Sequence, residues 1–518
     1  MDPLVRVPAA SRRRAIALLL VVASATTAAL AGAIGYASVR TQGQIPRSGS
    51  DTGPAHRKPV IFDAGPGLLD SRTRDQTLDR IDELGADMVR VVIPWRQVAP
   101  THPPLFFDPA NPASPGYEFS AYDAIIRGIK ARGMRLLLTP SSPFPEWASA
   151  SGTSSLADPK PEEFGRFVHA LAVRYSGWFS PTPGHPLPGA DLWSIWNEPN
   201  LGIYLLPQFR NGVPYSPLLY RRLYLAAEAA ISSVSPRAAV LIGETSPTGS
   251  RQWIDPLRFA RDALCLRAAL ASAPECGRRI ETAGWAVHPY ASDDAVAPFE
   301  VSRRRAYLNF GSLSRLVRLL NRAATAGAIR PNLPLYLTEY GQLSVPNPFV
   351  GVPLRQQAEY NGLAERMVYS HPRIASFAQY LMRDEIPAHQ VSVTNYGFQS
   401  GLRFFGGGEK PAFAAFRTPL AVLRQGERVR LWGLVRPVRS RTKVTIRIRD
   451  RRGRPRRLAR LRTNAAGFFT RRTGFAPGRR WQVVWTDPSG QVLPGPWTRA
   501  YRVDFKAWHS GSAPRTSG

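Results

Sequence analysis

Between residues 59 and 416, short apolar runs rich in β-forming residues alternate with longer amphipathic stretches. This alternation predicts repeated strand and helix units. The predicted strands begin near residues 60, 87, 133, 192, 238, 283, 333 and 374. The helices predicted between them cover residues 73–84, 122–131, 161–175, 217–233, 312–326 and 355–369.

Eight such units predict the α/β class and a closed (β/α)8 TIM barrel over residues 59–416. Continuously apolar strands separated by helices are typical of a parallel sheet that is buried on both faces. Eight repeats match a closed barrel better than an open sheet. An open doubly wound sheet is the alternative, but no GxGxxG or P-loop sequence follows the first predicted strand to support nucleotide binding.

After residue 416 the pattern changes to short segments in which apolar and polar positions alternate, with turn residues between them. In the run KVTIRIRD, apolar Val444, Ile446 and Ile448 are separated by polar or basic residues. This pattern predicts a small Arg-rich all-β sandwich, immunoglobulin-like, over residues 417–506. The last residues, 507–518, are expected to form a disordered tail.

The N-terminus combines a basic start with an uncharged apolar run over residues 15–37. This arrangement predicts a signal peptide or an N-terminal membrane anchor within residues 1–40, and the sequence leaves both alternatives open. Residues 41–58, rich in Gly, Ser, Pro and Arg, are expected to be a linker. We therefore expect an extracytoplasmic protein that is secreted or anchored to the membrane.

The two cysteines, Cys265 and Cys276, lie close together in the sequence. In an oxidising compartment this favours a local disulfide. No CxxC motif or Cys/His cluster indicates a zinc or iron site. We expect neither a metal nor an organic cofactor.

Charge is distributed unevenly along the 518-residue chain, whose formal net charge is +31. Residues 59–416 carry 35 basic and 31 acidic residues, whereas residues 417–518 carry 25 basic and 4 acidic residues. A nearly neutral central region argues against a nucleic-acid groove there, and no specific nucleic-acid partner is expected. The basic C-terminal domain is either a surface for an acidic polymer or membrane, or a solvated face with a compositional Arg bias. The sequence does not indicate an oligomeric state.

Polar residues that fall at the carboxyl ends of predicted barrel strands are the candidates for chemistry, because functional groups of such barrels lie at that face. They are Asn197 and Glu198 on the fourth strand, Glu244 on the fifth, His288 and Tyr290 on the sixth, and Glu339 on the seventh, with Arg90 inside the second. Two carboxylates on different strands are what glycosidic bond cleavage requires. Glu198 and Glu339 are the predicted catalytic pair, and Glu244 is a further candidate.

Two motifs resemble those of a known group of enzymes. Trp196-Asn197-Glu198-Pro199-Asn200 and Thr338-Glu339-Tyr340 resemble the acid/base and nucleophile motifs of clan A retaining glycoside hydrolases, nearest to families 39 and 5. The resemblance extends over residues 59–416. It implies that Glu198 is the acid/base and that Glu339 is a nucleophile forming a covalent glycosyl-enzyme. The expected substrate is a β-linked polysaccharide or oligosaccharide.

The same resemblance implies supporting roles for other residues. Asn197 is expected to bind the sugar 2-hydroxyl, Arg90 to keep Glu339 ionised, and His288 and Tyr290 to order the site. We further expect Trp147, near the end of the third strand, to stack on a sugar face.

One departure from the family pattern is the eighth strand, which has Gln379 and Tyr380 where many clan A enzymes have a tryptophan. This leaves the identity of the sugar open. The alternative function is a non-catalytic carbohydrate-binding or cell-envelope scaffold protein with a degenerate glycosidase barrel.

Overall fold

The computed structural model describes residues 53–270, 273–386 and 397–510. The segment predicted as a signal peptide or membrane anchor lies outside these ranges, as do residues 511–518. Among the described residues, no helix has the length and apolar character needed to cross a membrane.

Eight parallel strands form the first sheet, and they coincide with the predicted runs. They are β1 (Val60–Asp63), β2 (Met88–Pro94), β3 (Arg135–Ser141), β4 (Leu192–Ser194), β5 (Val240–Thr245), β6 (Gly284–Val287), β7 (Leu335–Leu337) and β8 (Phe377–Tyr380). Their order in the sheet is β8-β1-β2-β3-β4-β5-β6-β7. A parallel bridge between Leu335 and Ile374 joins the two edges. The predicted (β/α)8 barrel is therefore confirmed.

Helices cover the outside of the barrel. They are α1 (Arg74–Glu83), α2 (Trp95–Val98), α3 (Ser120–Ala131), α4 (Pro161–Arg174), α5 (Ser216–Val234), α6 (Pro256–Ala263), α7 (Leu313–Thr325), α8 (Leu354–Val368) and α9 (Pro411–Arg417). In α3 the buried residues are Tyr122, Ile125, Ile126 and Ile129. This spacing places one apolar stripe against the sheet, and the same periodicity underlies the sequence prediction.

The barrel interior changes from apolar to polar along the strands, which determines where a site can form. A separate apolar cluster at the amino ends contains Ile61, Met88, Leu137, Leu192, Leu241 and Ala286. Because strand side chains alternate between the two faces, the next interior positions are Arg90 on β2, Thr139 on β3 and Ser194 on β4. The carboxyl ends of the strands are therefore polar inside the barrel.

The C-terminal strands form two antiparallel sheets, as the predicted sandwich requires. They are β9 (Leu420–Gln425), β10 (Arg428–Leu434), β11 (Lys443–Arg449), β12 (Arg456–Arg462), β13 (Phe468–Gly474), β14 (Arg480–Thr486), β15 (Val492–Pro494) and β16 (Thr498–Arg499). One sheet has the order β9-β10-β13, and the other has β12-β11-β14-β15 with β16 paired to β14. Val444, Ile446 and Ile448 are buried in the core between them.

The sandwich packs against α8 of the barrel. Tyr360 and Leu363 of α8 share an apolar cluster with Leu423 and Trp432 of the sandwich. Beside this cluster, the Arg436 guanidinium pairs with the Glu365 carboxylate at 2.6 Å, and both side chains are almost fully buried. The two domains thus share a core and a buried ion pair.

The structure corrects two predicted boundaries. The described end of the predicted 41–58 linker is bonded to the folded chain: Arg57 donates to the Ala466 carbonyl, and the Lys58 ammonium donates to the Val368 carbonyl at 2.7 Å. The predicted 507–518 tail begins inside a helix, α10 (Phe505–Ser510). Trp508 is buried there and its ring stacks on Phe310 at 5.4 Å. A single tryptophan in a short polar segment gives no periodic signal, so the sequence pattern missed this contact.

Cys265 and Cys276 form a disulfide, as predicted, with their Cα atoms 5.7 Å apart. Cys265 follows α6, and the bond closes the connection between α6 and β6. Helix-to-strand connections of a barrel lie at the amino ends of the strands. The disulfide is therefore at the opposite end of the barrel from the polar interior positions.

Candidate active site

Arg90 forms the centre of a buried polar cluster at the carboxyl ends of the strands. Its Nη1 donates to Asp63 Oδ2 at 2.7 Å and to Glu339 Oε1 at 2.5 Å. Its Nη2 donates to Asn197 Oδ1 at 2.8 Å and to Glu244 Oε2 at 2.7 Å. The planar guanidinium offers donors in fixed directions, so one side chain orients groups from four other strands or strand ends.

His288, which directly follows β6, lies between three carboxylates. Its Nδ1 is 3.1 Å from Glu198 Oε1 and 3.5 Å from Glu339 Oε2. Its Nε2 is 2.7 Å from Glu244 Oε2. Two residues further on, the Tyr290 hydroxyl donates to Glu339 Oε2 at 2.9 Å. Each oxygen of the Glu339 carboxylate therefore accepts a hydrogen bond, one from Arg90 and one from Tyr290.

The electrostatics of the cluster favour a protonated His288. Burial by itself lowers the pKa of His288, but Glu339 and Glu244 raise this pKa to about 10. The ring is therefore an imidazolium at neutral pH, and both ring nitrogens donate. Burial alone raises the pKa of Glu244, yet Arg90 and His288 lower it to about 2. Glu244 is the ionised partner of both cations.

Two other carboxyls retain their protons to higher pH than usual. Burial raises the pKa of Glu198, and the hydrogen bond from His288 opposes the rise only in part. Burial also raises the pKa of Asp63 to about 6, against the opposing effect of Arg90. Four carboxyl groups surround Arg90 and His288. Because the pKa values of Glu198 and Asp63 are raised, these four groups are not all negatively charged at once. Neighbouring groups with separated pKa values are characteristic of acid/base sites.

Glu198 is held by an unusual local backbone. Trp196 and Glu198 have φ values of 70° and 40°, in the left-handed region that non-glycine residues rarely adopt. The Trp196 amide donates to the Pro140 carbonyl at 3.0 Å, and the Glu198 amide donates to the Glu244 carbonyl at 2.9 Å. Such conformations persist where the surroundings hold them, and they cluster at functional sites.

Asn200, the last residue of the predicted acid/base motif, anchors the loop instead of facing the cluster. Its side-chain amide donates to Ser246 Oγ at 3.0 Å, and its Oδ1 accepts from the Ser246 amide at 3.0 Å. Asn200 is fully buried. It therefore ties the segment after β4 to the segment after β5.

The cluster opens into a cavity of about 490 Å³, within the range of small-molecule sites. Asp63, Arg90, Asn197, Glu198 and Glu339 are among its lining residues. The Glu198 side chain is 14% exposed, and the Glu339 side chain is 10% exposed. Both predicted catalytic carboxyls thus lie largely buried at the edge of the same cavity.

Of the predicted site residues, Trp147 alone lies outside this arrangement. Its indole N–H donates to the Pro100 carbonyl at 2.9 Å, and its ring packs edge-on against Trp95 at 5.6 Å. Trp147 is not among the residues that line the cavity. The expectation that it stacks on a sugar is therefore replaced by a packing role, since an aromatic cluster beside α4 holds its ring.

Sequence reasoning missed Asp63, Tyr204 and Phe398, which also line the cavity. Asp63 ends β1, so the rule that selected the other strand-end residues would have found it. Tyr204 and Phe398 lie in irregular segments without a periodic signal. Tyr380, the departure on the eighth strand, lines the cavity too and packs edge-on against Tyr290 at 6.1 Å. A tyrosine therefore supplies an aromatic ring at the end of β8.

Glu198, His288 and Glu339 have the spacing of a metal site, with one potential ligand atom of each within 4.8 Å of the others. In this structure the three groups contact one another directly: His288 Nδ1 lies 3.1 Å from Glu198 Oε1 and 3.5 Å from Glu339 Oε2. These contacts are those of a hydrogen-bonded acid/base cluster.

No protein-family model matches the chain, and a comparison with curated protein sequences finds no match. Solved structures do match. A glucosidase from Croceicoccus marinus has a TM-score of 0.50 at 12% identity, over 82% of this chain and 95% of that chain. A monomeric beta-xylosidase from Caulobacter crescentus CB15 has a TM-score of 0.47 at 15% identity, over 84% and 97%.

A family 39 glycoside hydrolase from the gut symbiont Bacteroides cellulosilyticus WH2 has a TM-score of 0.46 at 15% identity, over 81% of each chain. At these identities the likeness concerns the fold. The match to the glucosidase shows that this chain shares the barrel fold of that enzyme, as the eight strand and helix units predicted.

Proposed function

We propose that the protein is a retaining glycoside hydrolase that cleaves β-glycosidic bonds of a polysaccharide or oligosaccharide. The observation that carries this proposal is that Glu198 and Glu339 line the same cavity. A carboxyl oxygen of Glu198 lies within 4.8 Å of a carboxyl oxygen of Glu339. Retaining enzymes have carboxyls about 5–5.5 Å apart, whereas inverting enzymes need about 6.5–9.5 Å to admit a water molecule. Nearest oxygens within 4.8 Å are consistent with the shorter, retaining separation and so support direct attack by one carboxylate.

In the first step, Glu339 attacks the anomeric carbon while Glu198 gives its proton to the leaving glycosidic oxygen. The bond from carbon to the leaving oxygen breaks, and a bond from carbon to Glu339 forms. In the second step, Glu198 takes a proton from water, which displaces Glu339 and releases the sugar. The raised pKa of Glu198 suits the first step, because the acid must hold its proton until substrate binds.

Neighbouring residues prepare each participant. Arg90 and Tyr290 both donate to the Glu339 carboxylate and so orient it and stabilise its charge. Asn197 Oδ1 accepts a hydrogen bond from Arg90. Within the described part of the chain, the Asn197 side-chain N–H groups therefore remain free to donate to a sugar hydroxyl beside the anomeric carbon. Neither step of this double displacement requires a metal or an organic cofactor.

An extracytoplasmic location forms part of the proposal. The Cys265–Cys276 disulfide supports it, because disulfides persist in oxidising compartments. The basic and then apolar start of the sequence also supports export. The substrate would then be a glycan that is available outside the cytoplasm.

The test is release of reducing sugar from a panel of β-linked glucans, xylans, mannans and galactans. Glu198→Gln and Glu339→Gln are each expected to lower the rate by at least about 100-fold, since each removes an acid/base or nucleophilic group. Glu162→Gln, an exposed change on α4, is the matched control and should keep wild-type activity. NMR of the first product should show retained β configuration.

Equal activity of wild type and both site variants would contradict the proposal. If wild type binds a glycan of the panel but cleaves none, the non-catalytic scaffold becomes the better interpretation.

A further inference from the structure

A basic groove lies on the sandwich, away from the barrel cavity. It has a volume of about 960 Å³ and is lined by residues of β11, β12 and β14 and the segments next to them. Its basic lining residues are Arg441, Lys443, Arg460 and Arg462, and its one acidic lining residue is Asp487. We define these four basic residues as the basic groove cluster.

The positive charges of this cluster are not neutralised by acidic side chains among the described residues of the protein. In the ladder between β11 and β12, Lys443 lies directly opposite Arg462, and Arg447 lies opposite Arg457. Like charges in directly opposed positions destabilise a sheet. Throughout the described part of the chain, no ion pair involves a member of the cluster, although Asp450 and Glu359 pair with arginines elsewhere on the sandwich.

The lining combines this charge with neutral hydrogen-bonding groups. Hydroxyls of Ser440, Thr442, Thr445 and Thr486 line the groove together with the basic side chains. The guanidinium fork matches the two oxygens of a carboxylate or an acidic ester. Hydroxyls can bond the neutral hydroxyls of a sugar ring.

We propose that this groove binds an acidic polysaccharide through its carboxylates. A membrane or a single-stranded nucleic acid fits less well, since the first needs inserted apolar side chains and the second needs stacking rings. Trp485, the aromatic lining residue, is only 4% exposed. Across described residues 417–510, Val492 is the only large hydrophobic side chain that is strongly exposed. A groove also suits a chain-like ligand better than a flat bilayer.

This inference does not depend on the proposed activity, because a separate domain carries it. The groove lies outside the barrel cavity and shares none of its lining residues. It therefore serves attachment: it holds the protein on an acidic polymer through a surface that is distinct from the cavity.

The test measures binding of the full chain to polygalacturonate, with dextran as the neutral polysaccharide. The groove variant carries Lys443→Gln, Arg460→Gln and Arg462→Gln. The control variant carries Arg428→Gln, Arg471→Gln and Arg472→Gln, three exposed arginines outside the groove. Both variants lose the same charge. The groove variant is expected to bind polygalacturonate about tenfold more weakly, from three contacts of modest strength each, while the control stays within about threefold of wild type.

Circular dichroism and thermal melting of both variants establish that they are folded. Binding to polygalacturonate but not to dextran, weakened only in the groove variant, supports the proposal. Equal losses in the two variants would mean diffuse attraction and would overturn it. Tighter binding to phosphatidylglycerol vesicles or to single-stranded DNA than to polygalacturonate would overturn it as well. Reducing-sugar release from β-linked glycans is measured separately, so the two proposals fail independently.

Discussion

Glu244 Oε2 accepts a hydrogen bond from His288 Nε2 at 2.7 Å, and the same oxygen accepts one from Arg90 at 2.7 Å. A single buried carboxylate therefore joins the two cations of the site. The two cations also lower the pKa of Glu244 to about 2, against the effect of burial. A carboxylate held in this way is not a proton donor near neutral pH. Glu244, a further candidate on sequence grounds, is thus a positioning residue beside the Glu198 and Glu339 pair.

Replacing Glu244 by glutamine is expected to weaken the whole cluster. The change keeps the side-chain shape but removes a buried negative charge that faces His288 and Arg90. Because an uncompensated buried charge is costly, the free energy of unfolding should fall by about 3–5 kcal/mol. Urea denaturation measures this change, and a variant as stable as wild type would contradict the assignment. NMR titration should also show a lower pKa for His288.

The contribution of His288 to stability should depend on pH in a defined direction. Its pKa is raised from 6.5 to about 10 in the folded protein, because the effect of Glu339 and Glu244 exceeds that of burial. A raised pKa means that the folded state holds the proton more tightly than the unfolded state. The stabilisation is complete below about pH 6.5 and disappears as the pH rises through about 10.

The stability difference between wild type and His288→Gln should therefore shrink steadily from pH 6.5 to 10. Thermal melting across this range measures it. His102→Gln, a change in an exposed loop, serves as the control and should leave the wild-type pH profile unaltered. A difference that grows with pH would show that His288 is not held as an imidazolium.

Arg90→Lys is expected to impair the site despite keeping the charge. Arg90 reaches four acceptors with two terminal nitrogens in one plane, whereas an ammonium is a single point of charge. Misplacement of Glu339 and Asn197 should lower the rate of sugar release by about 100-fold. Arg96→Lys, at an exposed position of α2, should have no effect. Full activity in Arg90→Lys would argue against the orienting role of the fork.

Loss of the disulfide should affect stability and spare activity. Cys265 and Cys276 are separated by 11 residues, and opening a loop of this size should cost about 3 kcal/mol on the chain-entropy account. The bond lies at the amino ends of the strands, opposite the cavity, so sugar release by the Cys265→Ser and Cys276→Ser double variant should match wild type. Calorimetry and the sugar-release assay check the two parts separately.

The effects of changing Arg436 and Glu365, the ion pair between the two domains, on the free energy of unfolding should be strongly coupled. Arg436 and Glu365 are both buried and 2.6 Å apart. Either Arg436→Met or Glu365→Gln alone leaves a buried charge unpaired and should cost about 3–5 kcal/mol. The double variant should lose less than the sum of the two single changes. Additive losses in a double-mutant cycle would mean that the two groups do not depend on each other.

Much of the architecture was predictable because it depends on local periodicity. The eight apolar runs and the amphipathic stretches between them gave strands and helices close to the observed bounds, as α4 (Pro161–Arg174) illustrates against a predicted 161–175. Glu198 and Glu339 were predictable for a related reason. Side chains at the carboxyl ends of parallel barrel strands face a common region whatever their distance in sequence.

Other features depended on contacts that no local pattern encodes. Tryptophan is a residue type that often stacks on sugars, but neighbouring aromatic rings hold Trp147 in a packed cluster. Trp508 lies beyond the last predicted domain, yet α10 packs back against the barrel. In each case the position of the side chain follows from surfaces supplied by distant segments.

The spacing of apolar residues was enough to predict the barrel and the sandwich, and the strand ends together with the motif resemblance singled out Glu198 and Glu339 as the candidate pair. The protonation of the site, by contrast, depends on the folded arrangement. Arg90 meets Asp63, Asn197, Glu244 and Glu339 only when the barrel closes and brings their strands around one guanidinium. Burial and the distances between charges then set each pKa, and neither quantity exists until the chain has folded.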